Sequence, residues 1–302
     1  MWLLFAFSGP VLWAASTHID KYLVDKYFQN ASTAVLMVFT AIINFLVLPV
    51  IWYFTPGIFA LPFLAISVML FSGMLFMAAM LFYLQAIQTE EVSVVVPLFQ
   101  GSVLWSVLLA YLLLGETLTP LQFLGAALII LGALILSLNL SQRFRKIKLH
   151  LAITMLGCTF ALALSSVIFK FFAVDGEFWQ TTFWTYLGAA IFGITILFTG
   201  KRYQQFLRLF RQNPGAMFGI NAANELINLG GSIGVRYALL LAPVSLVQAV
   251  SSTTSLFVFF FGVLLSLFFP KLGRENLSLR DLLQKGLAAV LVVSGILLIN
   301  AI

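Results

Sequence analysis

The feature that most constrains this chain is a series of long apolar stretches that carry almost no charge. Charged residues make up 9% of the 302 positions and hydrophobic residues 62%, whereas a soluble domain carries roughly 25% charged residues. A chain so poor in charge cannot cover a globule of this size with side chains that water solvates. The sequence therefore predicts an integral, multi-pass membrane protein.

A helix needs about 20 mostly apolar residues to cross the hydrocarbon core of a bilayer. Ten stretches meet this requirement, and helices are predicted because lipid offers no partner to open backbone groups. The predicted spans are Met1–Lys21, Thr33–Phe54, Leu61–Ile87, Val92–Leu114, Pro120–Leu138, Leu149–Phe172, Phe178–Thr199, Pro214–Leu241, Val244–Phe269 and Leu282–Ile302.

Basic residues are distributed unequally between the loops that join these spans. Of the 16 Lys and Arg residues, 14 follow the odd-numbered spans, and only Lys170 and Arg236 lie towards the other side. Short cytoplasmic loops are the ones enriched in Lys and Arg. The odd loops are therefore predicted to be cytoplasmic and both termini to be outside. Topology and anionic lipid account for the basic clusters, so no nucleic-acid partner is predicted.

The sequence also contains an internal repeat, in which the second half resembles the first. The segment from Ala14 to Leu23 is similar to the segment from Ala163 to Phe172, and the segment from Ala126 to Gly132 is similar to that from Ala289 to Gly295. With five spans in each copy, the second copy must enter the membrane upside down. Inverted repeats are a recurring build for secondary transporters, with the substrate site near the midplane.

Four short motifs occur along the first half of the chain: Trp13-Ala14 to Lys21, Val92-Ser93 to Pro97, Leu114-Gly115-Glu116-Thr117-Leu118, and Gly125 to Gly132. Together they resemble the motifs of the drug/metabolite transporter superfamily, of the EamA type. The resemblance implies ten helices in two five-helix repeats (1–139 and 150–302, joined by a basic loop at 140–149), a central cavity and alternating access. It also implies export of metabolites such as amino acids, or exchange of sugar conjugates.

Two features depart from that family. The second copy has Ala249 where Pro97 would repeat, and Arg274-Glu275 where Gly115-Glu116 would. Better-known members are drawn with both termini cytoplasmic, whereas the charge distribution predicts termini outside.

Polar residues inside spans are costly and usually face a bundle interior or a cavity. The predicted eighth span is the richest, because spacings of three and four place four polar residues on one helical face. The candidate substrate- or proton-binding residues are Glu225, Asn221, Asn224, Asn228, Gln100, Trp105, Gln248, Ser252 and Asn44. Glu225 is the main candidate for proton exchange, with a packing role as the alternative. Arg236 is expected to snorkel at the end of its span, and His18, beside Asp20 and Lys21, is expected to be solvated at the interface.

Other functional classes find less support. A membrane-embedded enzyme would need a catalytic constellation, and the sequence offers two distant histidines and one cysteine, so no catalytic residues, metal site or cofactor are predicted. No Walker loop is present. The prediction is a secondary active transporter of a small organic metabolite, an exporter, with proton coupling as an option, in a bacterial inner membrane. A passive channel or a lipid scramblase remains the alternative, and the oligomeric state is open.

Topology gives the first testable prediction. The loops at 141–150 and 200–213 should both be cytoplasmic, because eight of the 16 basic residues lie there. We expect single cysteines from Gln142→Cys and Gln212→Cys, in a Cys158→Ser background, to resist an impermeant maleimide in intact cells and to react after permeabilisation. Labelling of both from outside would reverse the predicted topology.

Overall fold

The computed structural model describes residues 1–27, 33–89, 92–137, 149–268 and 279–300, and every regular element in these ranges is helical. The α-helices are α1 Trp2–Tyr27, α2 Thr33–Phe54, α3 Phe63–Thr89, α4 Val92–Phe99, α5 Gly101–Leu114, α6 Pro120–Ser137, α7 Leu149–Phe172, α8 Phe178–Leu197, α9 Arg202–Gln212, α10 Ala222–Leu241, α11 Val244–Ser251, α12 Thr254–Phe268 and α13 Leu279–Asn300. The predicted all-helical class is confirmed. The basic connecting loop and Arg274-Glu275 lie outside the described residues.

Judged by length and apolar composition, the described ranges contain fewer membrane-spanning helices than the sequence predicted. Within the described ranges, six helices are long and apolar enough to cross a bilayer, or seven if α8 and α9, bent by 95°, form one span. Two apolar helices, α5 and α6, are shorter. The ten spans and the inverted repeats therefore stay predictions.

A break within one of the predicted spans accounts for part of this difference. The fourth predicted span divides at Gln100, between α4 and α5, three residues after a proline that cannot donate a backbone hydrogen bond. The ninth predicted span remains one candidate span, Val244–Phe268. Its helix is interrupted between α11 and α12, where the hydroxyls of Ser252 and Thr253 donate to the carbonyls of Ala249 and Val250 at 2.6 and 2.7 Å. Such local hydroxyl bonds compete with the helix's own backbone ladder.

The surface of the bundle is apolar and part of its interior is polar. Large hydrophobic side chains such as Tyr53, Phe63 and Leu149 are exposed, whereas the hydroxyls of Thr181 and Thr182 are fully buried. This inversion is the distribution that a lipid solvent favours, since polar groups inside spans turn towards the bundle interior.

Contacts between loops and helix ends define two ends of the bundle. At one end, here the Leu209 end, Leu209 of α9 packs against Leu23 and Val35. At the other, the Glu116 end, Glu116 accepts a hydrogen bond from the backbone N–H of Val244. The polar helix α10 runs between these two ends. It begins after α9, at the Leu209 end, and finishes just before Val244, at the Glu116 end.

Glycines hold several helices at backbone distance, as expected where small residues line helix contacts in membranes. A side chain at Gly234 would overlap Ser8, so α10 and α1 are in close contact there and form an α1–α10 unit. Side chains at Gly73 and Gly188 would overlap backbone carbonyls on the facing helix, which joins α3 to α8. A side chain at Gly193 would overlap Ala41 of α2. These last contacts define an α2–α3–α8 unit.

Helices α6 and α13 form a separate close contact. A Cβ on Gly125 would lie 2.6 Å from the Gly295 carbonyl oxygen, and a Cβ on Gly295 would lie 2.5 Å from that of Gly125. No residue other than glycine fits at either position without separating the two backbones. Gly295 lies in one of the two segments that the sequence predicted to correspond, and Gly125 directly precedes the other.

The α6–α13 contact gives the second prediction. Gly295→Ala should lower the free energy of unfolding by about 1–3 kcal/mol, the range seen when a well-packed contact is overfilled. Tryptophan fluorescence during thermal unfolding in detergent measures the change. The matched control is Gly286→Ala on the same helix, where an added Cβ meets nothing within 4 Å; it should be neutral or slightly stabilising. Equal midpoints for the two variants would contradict the packing role.

Candidate functional site

Four polar side chains from three helices meet in a buried cluster, here the acid cluster. Glu225 on α10 is 6% exposed, and its Oε1 accepts a hydrogen bond from the Thr40 hydroxyl on α2 at 3.1 Å. The neighbouring Asn224 donates from Nδ2 to Oδ1 of Asp20 on α1 at 2.6 Å. The two carboxyl groups are close enough for their charges to interact. The acid cluster thus joins the α1–α10 unit to α2 of the other unit.

Further polar groups extend the acid cluster along α1 and α10. Asn228 lies one turn beyond Asn224, with its side chain beside the Glu225 carboxyl and its backbone carbonyl within 3.4 Å of the Trp13 indole nitrogen. Ser16 lies beside Asp20, one turn earlier on α1. The Oδ1 atom of Asn224 is buried without a hydrogen-bond partner among the described residues. A buried unpaired acceptor is costly, so it marks a position where a donor would be stabilised.

Asp20 is the residue that the sequence analysis failed to assign to the site. Asp20 was predicted to lie at a span end with His18, but α1 continues to Tyr27, so Asp20 lies about two turns inside the helix. The available signal was the four-residue spacing of Ser16 and Asp20, which puts both on one face. His18 also lies inward, because its Nε2 is 2.9 Å from the carbonyl oxygen of Val258 on α12.

The other predicted site residues are distributed over several places in the bundle. Asn44 is buried one turn beyond Thr40 on α2, and Asn221 is buried where a π-helical turn precedes α10. Gln100 is buried at the break between α4 and α5. Their contact with a substrate stays a prediction.

Three predicted residues have partners outside the acid cluster. Gln248 donates to the Ser166 hydroxyl at 2.7 Å. The ring of Trp105 packs edge-on against Phe160, with centroids 5.2 Å apart. The hydroxyl of Ser252 donates to the carbonyl of Ala249 in the preceding helix, α11, at 2.6 Å. These three side chains therefore do not contribute to the acid cluster, and any contact that they make with a substrate would lie elsewhere.

A second charged contact closes the Glu116 end. The ammonium group of Lys170 on α7 forms an ion pair with Glu116 and donates to the carbonyl of Ala242 at 2.7 Å. The other oxygen of Glu116 accepts from the Val244 N–H at 2.8 Å, at the first residue of α11. A carboxylate is favourable there because the helix N-terminus carries partial positive charge. Gly115, in the left-handed conformation at φ 66°, ends α5 so that Glu116 can reach this position.

Arg236 contradicts the expectation that it snorkels to the interface. Its guanidinium carbon lies 4.4 Å from the ring centroid of Phe169 and 4.9 Å from that of Tyr186. One guanidinium nitrogen donates to the Thr185 hydroxyl at 2.9 Å. Aromatic side chains of α7 and α8 hold the group inside the bundle, which the distance to the helix end could not reveal.

The described residues contain no group of three or more His, Cys, Asp or Glu that could hold a metal ion. The single cysteine, Cys158, is buried with its thiol 3.2 Å from the Ala79 carbonyl, which is a packing arrangement.

Comparison with solved structures supports the fold along the whole chain. One crystal structure of a protein, at 16% sequence identity, matches with a TM-score of 0.68 and covers 99% of this chain and 96% of the other. No curated protein sequence matches. Taken with the apolar helices, the fold defines an integral, multi-pass helical membrane protein.

Residues 1–138 are an EamA-like transporter family domain, consistent with the drug/metabolite transporter superfamily. The resemblance that the sequence motifs carried is confirmed for this part of the chain. Members of that family are transporters rather than enzymes.

The Glu116 contact gives the third prediction. Glu116→Ala leaves the buried Lys170 charge without its partner and the Val244 N–H without an acceptor, so the unfolding free energy should fall by about 3–5 kcal/mol. Thermal unfolding in detergent measures this. The double variant Glu116→Ala with Lys170→Met removes both charges and should lose less than the sum of the losses in Glu116→Ala and Lys170→Met alone. Additive losses would show that the ion pair contributes nothing.

Proposed function

We propose that the protein is a secondary active transporter that exports a small organic metabolite by alternating access, with proton exchange at Glu225. The observation that carries the proposal is the acid cluster, in which carboxyl groups from α1 and α10 meet Thr40 of α2. A carboxyl buried inside a membrane bundle is costly, and such residues commonly mark proton or substrate pathways.

The position of the acid cluster supports coupling between charge and movement. Thr40 and Glu225 lie on helices of different units, so their hydrogen bond crosses the boundary between the α1–α10 unit and the α2–α3–α8 unit. Two carboxylates in a region of low dielectric repel each other strongly. Loading a proton, or the amine of a substrate, removes part of that repulsion. A change in occupancy therefore acts where the two units touch.

The chemistry of the cluster favours a small polar solute. Carboxyl, amide and hydroxyl groups are concentrated there, and the amide oxygen of Asn224 has no partner among the described residues. An amine or a hydroxyl-rich group would find acceptors in this cluster. Amino acids and related compounds are therefore the first candidates, in a bacterial inner membrane, with the remaining candidate residues as parts of the path.

The fourth prediction tests proton exchange. Glu225→Gln keeps the shape and the hydrogen bond from Thr40 but cannot exchange a proton. A screen of amino acids, sugars and nucleotides first identifies the solute that most raises the unfolding temperature of the protein. That solute is then the probe whose transport is measured in liposomes. We expect the variant to lose pH-gradient-driven accumulation at least about tenfold and to retain counterflow exchange of that probe.

The matched control is Glu177→Gln, which removes a carboxyl before α8, outside the acid cluster, and should transport like the parent. Transport by Glu225→Gln at the parental rate and with the parental pH dependence would leave Glu225 a packing role. Linear flux without saturation or counterflow would favour a passive channel. Lipid exchange between leaflets without solute flux would favour a scramblase, and ATP-dependent uptake would exclude the proposal.

A further inference from the structure

The second charged group on α10 has a different environment from the acid cluster. Arg236 follows Glu225 by eleven residues, about 16 Å along a helix, so the two cannot pair. The described carboxyl groups lie elsewhere: Asp20 and Glu225 in the acid cluster, Glu116 on Lys170, and Glu177 before α8. None of these four acids, the ones whose side chains the structure describes, forms an ion pair with Arg236.

The guanidinium has one hydrogen bond and two aromatic neighbours among the described residues. A guanidinium has five N–H donors, and one of them is used by the hydrogen bond to Thr185. The rings of Phe169 and Tyr186 pack against the group. The N–H bonds point outward along the edge of the planar group, which is the part that can meet a ligand. That edge matches the geometry of a carboxylate, which accepts two parallel hydrogen bonds.

Buried hydroxyls on α8 lack partners beside this group. The Tyr186 hydroxyl and the Thr181 and Thr182 hydroxyls are buried without a hydrogen-bond partner among the described residues, and Tyr186 is 3% exposed. Thr182 precedes Thr185 and Tyr186 by three and four residues, so all three lie on one face of α8. Unsatisfied buried polar groups are rare in native proteins and call for an explanation.

We propose that Arg236, with the hydroxyls of Tyr186 and Thr182, binds a carboxylate group of the transported solute. The guanidinium supplies one positive charge and a two-pronged donor edge, and the hydroxyls supply further donors. A single cation among neutral hydroxyls suits a group of one negative charge. The inference rests on the proposed transport function, and it adds that the solute is a carboxylic acid that contacts α8 and α10.

This site also lies between the two glycine-packed units. Arg236 belongs to the α1–α10 unit, whereas Thr185 and Tyr186 belong to the α2–α3–α8 unit. The acid cluster and the Arg236 site therefore bridge the same two units at different heights, the first towards the Leu209 end and the second towards the Glu116 end. A solute that passes between the units would meet both.

Matched pairs of probes test the site on purified protein in detergent. Acetate is compared with acetamide and benzoate with benzamide at constant ionic strength, because each pair differs in charge and little in size. Apparent Kd values come from the rise of the unfolding temperature with probe concentration. We expect the carboxylates to stabilise the protein and the amides to have no effect. Stabilisation by phenylphosphonate but not by benzoate would overturn the assignment to a carboxylate.

Variants locate the binding and separate it from folding. Arg236→Lys keeps the charge but loses the two-pronged edge, and should weaken carboxylate binding at least about tenfold. Tyr186→Phe keeps the ring on the guanidinium, removes one hydroxyl, and should weaken binding by about two- to tenfold. Arg211→Lys, at an exposed position on α9, is the matched control and should bind like the parent. Equal affinities for the parent, Arg236→Lys and Tyr186→Phe would overturn the proposal.

The binding assay needs neither a gradient nor a membrane, so the two proposals fail separately. Carboxylate binding that depends on Arg236, without gradient-driven transport in liposomes, would leave this site standing and remove the transport mechanism. Proton-coupled transport of a solute without a carboxylate, unaffected by Arg236→Lys, would do the reverse.

Discussion

Every polar group inside this bundle must find its partner within the bundle, because lipid supplies none. That constraint organises the interior. Lys170 meets Glu116 and a backbone carbonyl, and Asn224 meets Asp20. Each contact joins helices that are distant in sequence, so the charges that make the bundle costly to assemble also specify which helices meet. Groups left without partners under the same constraint, such as the Tyr186 hydroxyl, are the places where a ligand would be stabilised most.

Properties that depend on one helix at a time could be predicted from the sequence. Lack of charge predicted the membrane class, and the spacing of Asn221, Asn224, Glu225 and Asn228 predicted a polar face on α10. Contacts between helices could not be predicted in this way. Asp20 and Thr40 reach Glu225 because of how α1 and α2 pack, and no local pattern in either helix indicates that partner.

Arg236 and the helix breaks show two further limits of sequence analysis. A position near a helix end predicted snorkelling, but Phe169 and Tyr186 from other helices cover the guanidinium, and only the packing of α7 and α8 reveals them. Hydropathy predicted the span over α11 and α12, but it does not register the hydroxyls that bond backward to Ala249 and Val250 at the interruption between the two helices. Both features arise from interactions that an average over side-chain polarity leaves out.

The glycine contacts have a mechanical consequence. Where backbones touch directly, as at Gly73 against Thr185 and at Gly234 against Ser8, sliding one helix along the other would bring side chains into collision. Such helix pairs move as rigid units. Deformation must then concentrate at the boundary between the α1–α10 unit and the α2–α3–α8 unit. Contacts such as the hydrogen bond from Thr40 to Glu225 and that from Arg236 to Thr185 cross this boundary. The most deformable boundary in the molecule therefore runs past both charged groups of α10, Glu225 and Arg236.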